Sequence, residues 1–301
     1  MRVPLDLQHH IYWSFFCESG FCWYSNNQNG IFNSAPLNFM LRSIFNHRLQ
    51  THLAIRRYTK PATMSLRAIS AKDAASLDRD LMETGGWSLD QLMELAGLSV
   101  AQAVWKLQPP NAGANILIVC GPGNNGDGLV AARHLSHFGY NPSVYYPKEG
   151  KNELYQRLKT QLRNLSIPFI STEDFSTSLK QSDLLVDAIF GFSFGGPLRE
   201  PFPSIVSQIE SATIPVLSVD APSSWDIQGG PPKEGPGAKF MPSALISLSA
   251  PKPCVAFYKG RHFIGGRFLT KALTDKYGLD LPQYQGVDQV LEIGVDAEGK
   301  L

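Results

Sequence analysis

The chain has 301 residues, 43% of them hydrophobic and 18% charged, with a formal net charge of +1. That near-neutral balance excludes a general nucleic-acid binder, which needs a basic face to neutralise phosphates. No apolar run approaches the roughly 20 residues that cross a bilayer, so a membrane-spanning protein is excluded as well.

In chain order, residues 1–39 mix Trp13, Phe15, Phe16 and Trp23 with Asn-rich sequence and show no clear periodicity. They read as an extension ahead of a second start at Met40. From Ser19 through Lys72 there is no Asp or Glu. Within that stretch, residues 40–63 set Leu41, Ile44, Phe45, Leu49, Leu53 and Ile55 among Arg42, Arg48, Arg56, Arg57 and Lys60. A basic, acid-free amphipathic segment is the pattern of a mitochondrial presequence, and Arg56-Arg57-Tyr58 resembles a matrix-peptidase cleavage context. The bland alternative is a disordered basic tail. Starts at Met40 and Met64 predict a mitochondrial and a cytoplasmic form. Residues 64–301 carry 21 basic and 24 acidic residues, so this domain is mildly acidic. Of the four cysteines, Cys17 and Cys22 have no second pair with which to build a zinc site, and Cys120 lies in an apolar run that suits a buried thiol. No disulfide framework is indicated, which fits a reducing compartment.

Two helices open the domain. Ser70 with Asp73 resembles a capping box before Ala74–Thr84, and Ser88 with Gln91 repeats the signal before Leu89–Leu107. In the second helix Leu92, Leu95, Ala96, Ser99 and Ala103 share a face, and Pro109-Pro110 ends it. The chain then alternates. Strands are predicted at 116–120, 143–146, 168–170, 184–189, 216–219 and 245–248. Helices are predicted at 129–138, 153–165, 203–210 and 271–277. Continuous apolar strands between amphipathic helices indicate an α/β fold: a Rossmann-like three-layer αβα sandwich with a mostly parallel central sheet.

Three loops carry the chemistry. The first runs from Gly121 to Gly128 after a strand, and Gly121, Gly123 and Gly126 match G-x-G-x-x-G. Such glycines let backbone N–H groups approach phosphate oxygens at a helix N-terminus. Asn124, Asn125 and Asp127 are unusual for a simple dinucleotide loop. The acidic residue expected at the end of the second strand is replaced by Tyr145-Tyr146-Pro147-Lys148; Lys148 would tolerate a 2′-phosphate or is an ordinary surface lysine. The second loop begins at Asp187 and runs through Gly191, Phe192, Ser193, Phe194, Gly195, Gly196 and Pro197. The third is Asp220-Ala-Pro-Ser223-Ser224-Trp225-Asp226. Asp187 and Asp220 both fall at carboxyl ends of predicted strands, the rim where open α/β sheets bind ligands.

Asn124-Asn125-Gly126-Asp127-Gly128, Asp187-Ala-Ile-Phe-Gly191 and Asp220-Ala-Pro-Ser223 together resemble the signature segments of the YjeF N-terminal family, the NAD(P)H-hydrate epimerases. The resemblance covers roughly Leu66 to Tyr284 and extends to Leu245–Lys252 and Gly260–Phe268. The insert Asp226–Lys239 is similar to that of fungal members. The resemblance implies a substrate, NADHX or NADPHX, hydrated at C6 of the nicotinamide ring. Its R and S forms are interconverted, and a dehydratase consumes the S form. It implies that Asn124–Gly128 hold the dinucleotide and Gly191–Pro197 form a second wall. It implies one K+ per subunit on Asn125, Asp187 and Ser223, and a homodimer. Asp220 is the candidate for acid–base work at C6, its alternative being to hold a ribose or substrate hydroxyl. Ser224 stands where many relatives carry Gly, and Gly195 where animal relatives carry Lys. The competing reading is a non-catalytic binding protein, because the same fold serves an mRNA-decapping scaffold and is linked to apolipoprotein binding. An ordinary NAD(P) oxidoreductase ranks last, because no Tyr/Lys, His or Cys arrangement for hydride transfer is evident.

Overall fold

The computed structural model describes residues 13–18, 21–26, 32–36, 66–121 and 126–293. The presequence-like segment 40–63 lies outside the described residues, as do Asn124 and Asn125 of the first loop. The chain divides into two compact units, Met1–Lys60 and Pro61–Leu301.

In the first unit, β1 (Trp13–Glu18), β2 (Phe21–Asn26) and β3 (Phe32–Pro36) form an antiparallel meander. These strands escaped notice because aromatic residues sit at successive positions, which hides the two-residue period that marks a half-buried strand. The register sets Cys17 opposite Cys22, so their spacing is that of a tight hairpin.

The second unit opens with α1 (Ala71–Glu83) and α2 (Leu89–Leu107). The two caps differ. Gln91 N–H donates to Ser88 Oγ at 3.2 Å while Ser88 N–H donates to Gln91 Oε1 at 2.8 Å, a reciprocal capping box. At α1, Asp73 N–H donates to Ser70 Oγ, but the Ser70 hydroxyl donates back to the Asp73 carboxylate, so the cap is one-way.

There follow β4 (Asn115–Cys120), α3 (Gly126–His137), β5 (Asn141–Tyr145), α4 (Glu153–Asn164), β6 (Phe169–Ile170), α5 (Phe175–Gln181) and β7 (Leu184–Ala188). Then come α6 (Phe202–Glu210), β8 (Val216–Val219), β9 (Ala244–Leu248), β10 (Arg261–Gly265), α7 (Lys271–Tyr277) and β11 (Val290–Ile293). The sheet order is β11-β10-β9-β8-β7-β4-β5-β6, parallel except for β11. Strand side chains alternate between two cores. Ile116, Ile118 and Val186 pack with α2, α3 and α4, whereas Leu117, Val119 and Leu185 pack with α5 and α6. Burial on both faces explains why β4 reads as an unbroken apolar run from Ile116 on and why β7, β8 and β9 are apolar but for Asp187, Ser218 and Ser247. The predicted three-layer sandwich is the fold.

Two strands and a helix of the second unit were not predicted. β10 has only Phe263-Ile264 as an apolar run and begins with Arg261-His262, β11 is short and carries Glu292, and α5 is two turns of mostly polar sequence. α3 also begins three residues earlier than predicted, at Gly126. Glycine weakens a helix, but here close packing demands it: a β-carbon on Gly128 would lie 2.8 Å from Ala188 Cβ and 2.9 Å from Cys120 Sγ. Among the described residues no helix is long and apolar enough to cross a membrane.

From β4 the chain moves outward to β5 and β6, then returns to the other side of β4 as β7. The carboxyl ends of β4 and β7 thus flank the point where strand order reverses, the crevice in which such sheets bind ligands. Gly121 closes this point: its N–H donates to Ala188 O at 3.1 Å, and a β-carbon there would lie 1.6 Å from the Ile189 carbonyl oxygen. Because that obstacle is backbone, Gly121→Ala should destabilise the protein by about 3 kcal/mol or more. Urea denaturation of the full chain measures this; a midpoint equal to wild type would contradict the packing.

Candidate active site

A cavity of about 550 Å³ lies over the carboxyl rim of the sheet. One wall is helical, from α1 and the first turns of α2, with Asp78, Leu92 and Met93. The other is the rim itself, with Asp127, Gly191, Phe192, Ser193, Asp220, Leu248 and Lys252. Each rim residue is delivered by the turn that ends a parallel strand or begins the next helix, so the sequence-distant loops converge.

Asp220 follows β8 in the left-handed backbone region, at φ 65°, which an aspartate tolerates better than most residues. Its N–H donates to Ile246 O at 2.7 Å, and its Oδ1 accepts from Leu248 N–H at 3.0 Å and from Lys252 Nζ at 2.7 Å. Lys252 is 2% exposed. Its ammonium also donates to Leu248 O at 2.8 Å and Ala250 O at 3.1 Å, and lies 5.6 Å from the centroid of the Phe192 ring. All three ammonium protons therefore have acceptors. The lysine is a fixed charge that anchors one oxygen of Asp220.

Three carboxyls share this single ammonium. Burial pushes Asp78 up to about 6, with the charge of Asp220 adding and Lys252 opposing. Burial holds Asp127 well above the usual carboxylate range, reinforced by Asp220 and Asp78 and again opposed by Lys252. Asp78 and Asp127, both shifted toward neutrality in one cleft, suit proton-transfer chemistry.

Beside the cavity, Asp187 is completely buried at the end of β7. It accepts from Ser218 Oγ at 2.8 Å, Ser223 N–H at 2.9 Å, the Ser223 hydroxyl, and Ile189 N–H at 3.5 Å. Burial raises its carboxyl, and these donors work against the rise. The second and third loops are thereby tied together.

The residues singled out in the sequence are placed unequally. Asp127, Gly191, Phe192, Ser193 and Asp220 line the cavity, and Gly126 and Gly128 lie in the first turn of α3. Gly195, Gly196 and Pro197 are exposed beyond it, while Phe194 packs on Phe190 with ring centroids 4.4 Å apart. Lys148 is exposed and does not line the cavity. Asp187 and Ser223 are brought into contact, whereas Asn125 lies outside the described residues. Ser224 sits at φ 82° with its buried hydroxyl lacking a hydrogen-bond partner among the described residues, which explains physically why glycine suits this position.

Two residues that shape the charge around Asp220 were missed. Lys252 was visible only as the last residue of the Leu245–Lys252 segment. Asp78 left a fainter trace, a carboxylate beside the buried stripe Ala74, Leu77 and Leu81.

An open, mostly parallel α/β sheet with a carboxylate-bearing cavity at its strand-order reversal defines a small-molecule site of Rossmann type. A family model described as YjeF-related protein N-terminus matches residues 89–254, and the chain belongs to that family. A relative from Aspergillus fumigatus named NAD(P)H-hydrate epimerase is 76% identical over 243 residues, covering 79% of this chain and all of the relative. One of the same name from Schizosaccharomyces pombe is 58% identical over 234 residues, covering 76% of this chain and 97% of the relative. The crystal structure of yeast ynu0 superposes with a TM-score of 0.72 at 42% identity, covering 75% of this chain and all of that one.

Proposed function

We propose that this chain is an isomerase that interconverts the R and S forms of NAD(P)H hydrate. The observation that carries the reading is Asp220, fixed by Lys252 and Leu248 and facing a cavity of about 550 Å³ at the nucleotide-binding rim. The relatives named as epimerases support the same reaction.

Epimerisation at C6 breaks the C–OH bond on one face of the ring and remakes it on the other. A carboxylic acid gives its proton to the departing hydroxyl, and the ring nitrogen lone pair fills the gap as an iminium. Water then adds to the opposite face, and its proton returns to a carboxylate. Lys252 orients Asp220 for this exchange, and the apolar wall of Leu92, Met93 and Phe268 limits access of bulk water. Gly126–Gly128 at the start of α3 and Gly191–Ser193 hold the dinucleotide, with Asn124 and Asn125 completing the first loop.

Potassium is part of the proposal. Asp187 is fully buried, its donors Ser218, Ser223 and Ile189 are neutral, and it makes no ion pair among the described residues. Asn125, Asp187 and Ser223 would hold the ion through the oxygen ligands that a hard monovalent cation prefers, and the ion would offset pyrophosphate charge. A homodimer through the early helices, a domain beginning near Met64, mitochondrial and cytoplasmic forms, and a dehydratase that uses the S form complete it.

Chiral chromatography of R-NADHX incubated with the full chain tests the reading. Conversion to the S form well above the spontaneous rate, faster with potassium than with sodium, is expected. Tight nucleotide binding without acceleration would instead identify a binding protein.

A further inference from the structure

Asp78 is a carboxyl in the cavity that has no assigned task. It stands on α1, so it belongs to the helical wall, while Asp220 belongs to the sheet rim. Among the described residues its carboxyl makes no hydrogen bond or ion pair. The charged groups around it are Arg79 and Glu83 of α1, Asp127 of α3, Asp220 after β8 and Lys252 after β9. On α7, which packs against α1, Lys276 and Tyr277 are engaged with Asp80. Lys252 already has three acceptors. A carboxyl pushed up to about 6 is therefore left facing the space that a ligand would fill.

We propose that Asp78 is a second catalytic residue, handling the proton on the ring face toward the helical wall while Asp220 handles the rim face. The inference rests on the epimerase reading, in which both faces of C6 must be served. In one direction protonated Asp78 gives its proton to the C6 hydroxyl, the C6–O bond breaks and the N1 lone pair forms the iminium. Water then adds from the rim face, and its proton passes to the Asp220 carboxylate. The reverse direction exchanges the roles, and solvent returns the proton between turnovers.

Each direction needs one proton on the pair. For R-to-S exchange that proton sits on Asp78, so kcat/KM falls as Asp78 loses it, near pH 6. The test is the rate of R-to-S exchange by the full chain from pH 5 to 9, corrected for spontaneous epimerisation, for wild type, Asp78→Asn and Asp78→Glu. Binding of NADH is measured alongside. Asp78→Asn should bind NADH normally, lose kcat by about 100-fold or more and lose the alkaline fall. Asp78→Glu, which keeps a titrating carboxyl, should recover part of the rate and retain a fall. An Asp78→Asn rate within about threefold of wild type would overturn the proposal, as would a slow variant with an unchanged alkaline fall. A wild type that does not accelerate exchange would remove the epimerase reading itself, and Asp78's role with it.

Discussion

Asp220→Asn should lose about 10²–10⁴-fold in kcat with little change in KM, because the amide preserves shape and tolerates the left-handed backbone but cannot exchange the proton. Stopped-time assays of R-to-S conversion measure both constants. A rise in KM with kcat intact would instead assign Asp220 to holding a ribose or substrate hydroxyl. Asp220→Ala should fare worse in stability as well. It leaves the Lys252 ammonium buried against only two carbonyls, and breaking such a pair by removing one partner costs about 3–5 kcal/mol. The two substitutions thus separate chemistry from scaffolding at one position.

Lys252→Met should be nearly as damaging by a different route. The methionine fills much of the apolar space of the lysine stem, but Asp220 keeps only the Leu248 N–H, and the carbonyls of Leu248 and Ala250 lose a donor. Loss of about 3–5 kcal/mol of stability is expected, together with a fall in kcat as Asp220 loses its anchor. The pH profile adds a signature that a purely structural role would not give. Lys252 opposes the burial that raises Asp78, so without it Asp78 rises further and the alkaline fall in activity moves above pH 6. A profile that stays in place, measured in a variant that is still folded, would contradict this electrostatic coupling. Lys252→Arg is not a rescue, because a planar guanidinium cannot reach three acceptors arranged around a compact ammonium.

The central strands of the sheet were legible because parallel strands buried on both faces are mostly apolar, whereas β10, also parallel and buried, hid behind Arg261-His262. The rim positions of Asp187 and Asp220 were legible too, since a strand's end marks the ligand side of such a sheet. The pairing within that rim was not legible. Lys252 meets Asp220 because the backbone after β9 turns back on itself, with Ser249 at φ 67°, and no periodicity reports a turn of that kind. Asp78 depends on which way α1 rolls over the rim, and that is set by Ala250 and Phe268 packing on Leu77 and Leu81. The glycine-rich loop was located, but its first helical turn was read as loop, because glycine's low helix propensity is overridden by packing against Ala188 and Cys120. β11 escaped because an antiparallel edge strand is short and half-exposed.

Relaxation from both pure epimers tests the central claim most directly. Full-length chain added to pure R-NADHX and, separately, to pure S-NADHX should drive both to the same R:S ratio with the same relaxation rate, since a catalyst speeds both directions equally and leaves the equilibrium unchanged. Proton NMR at C6 follows both approaches without a coupling enzyme. Convergence accelerated by wild type and abolished in a folded Asp220→Asn variant is the predicted result. Relaxation no faster than in protein-free buffer, in a sample that still binds NADH, would contradict it.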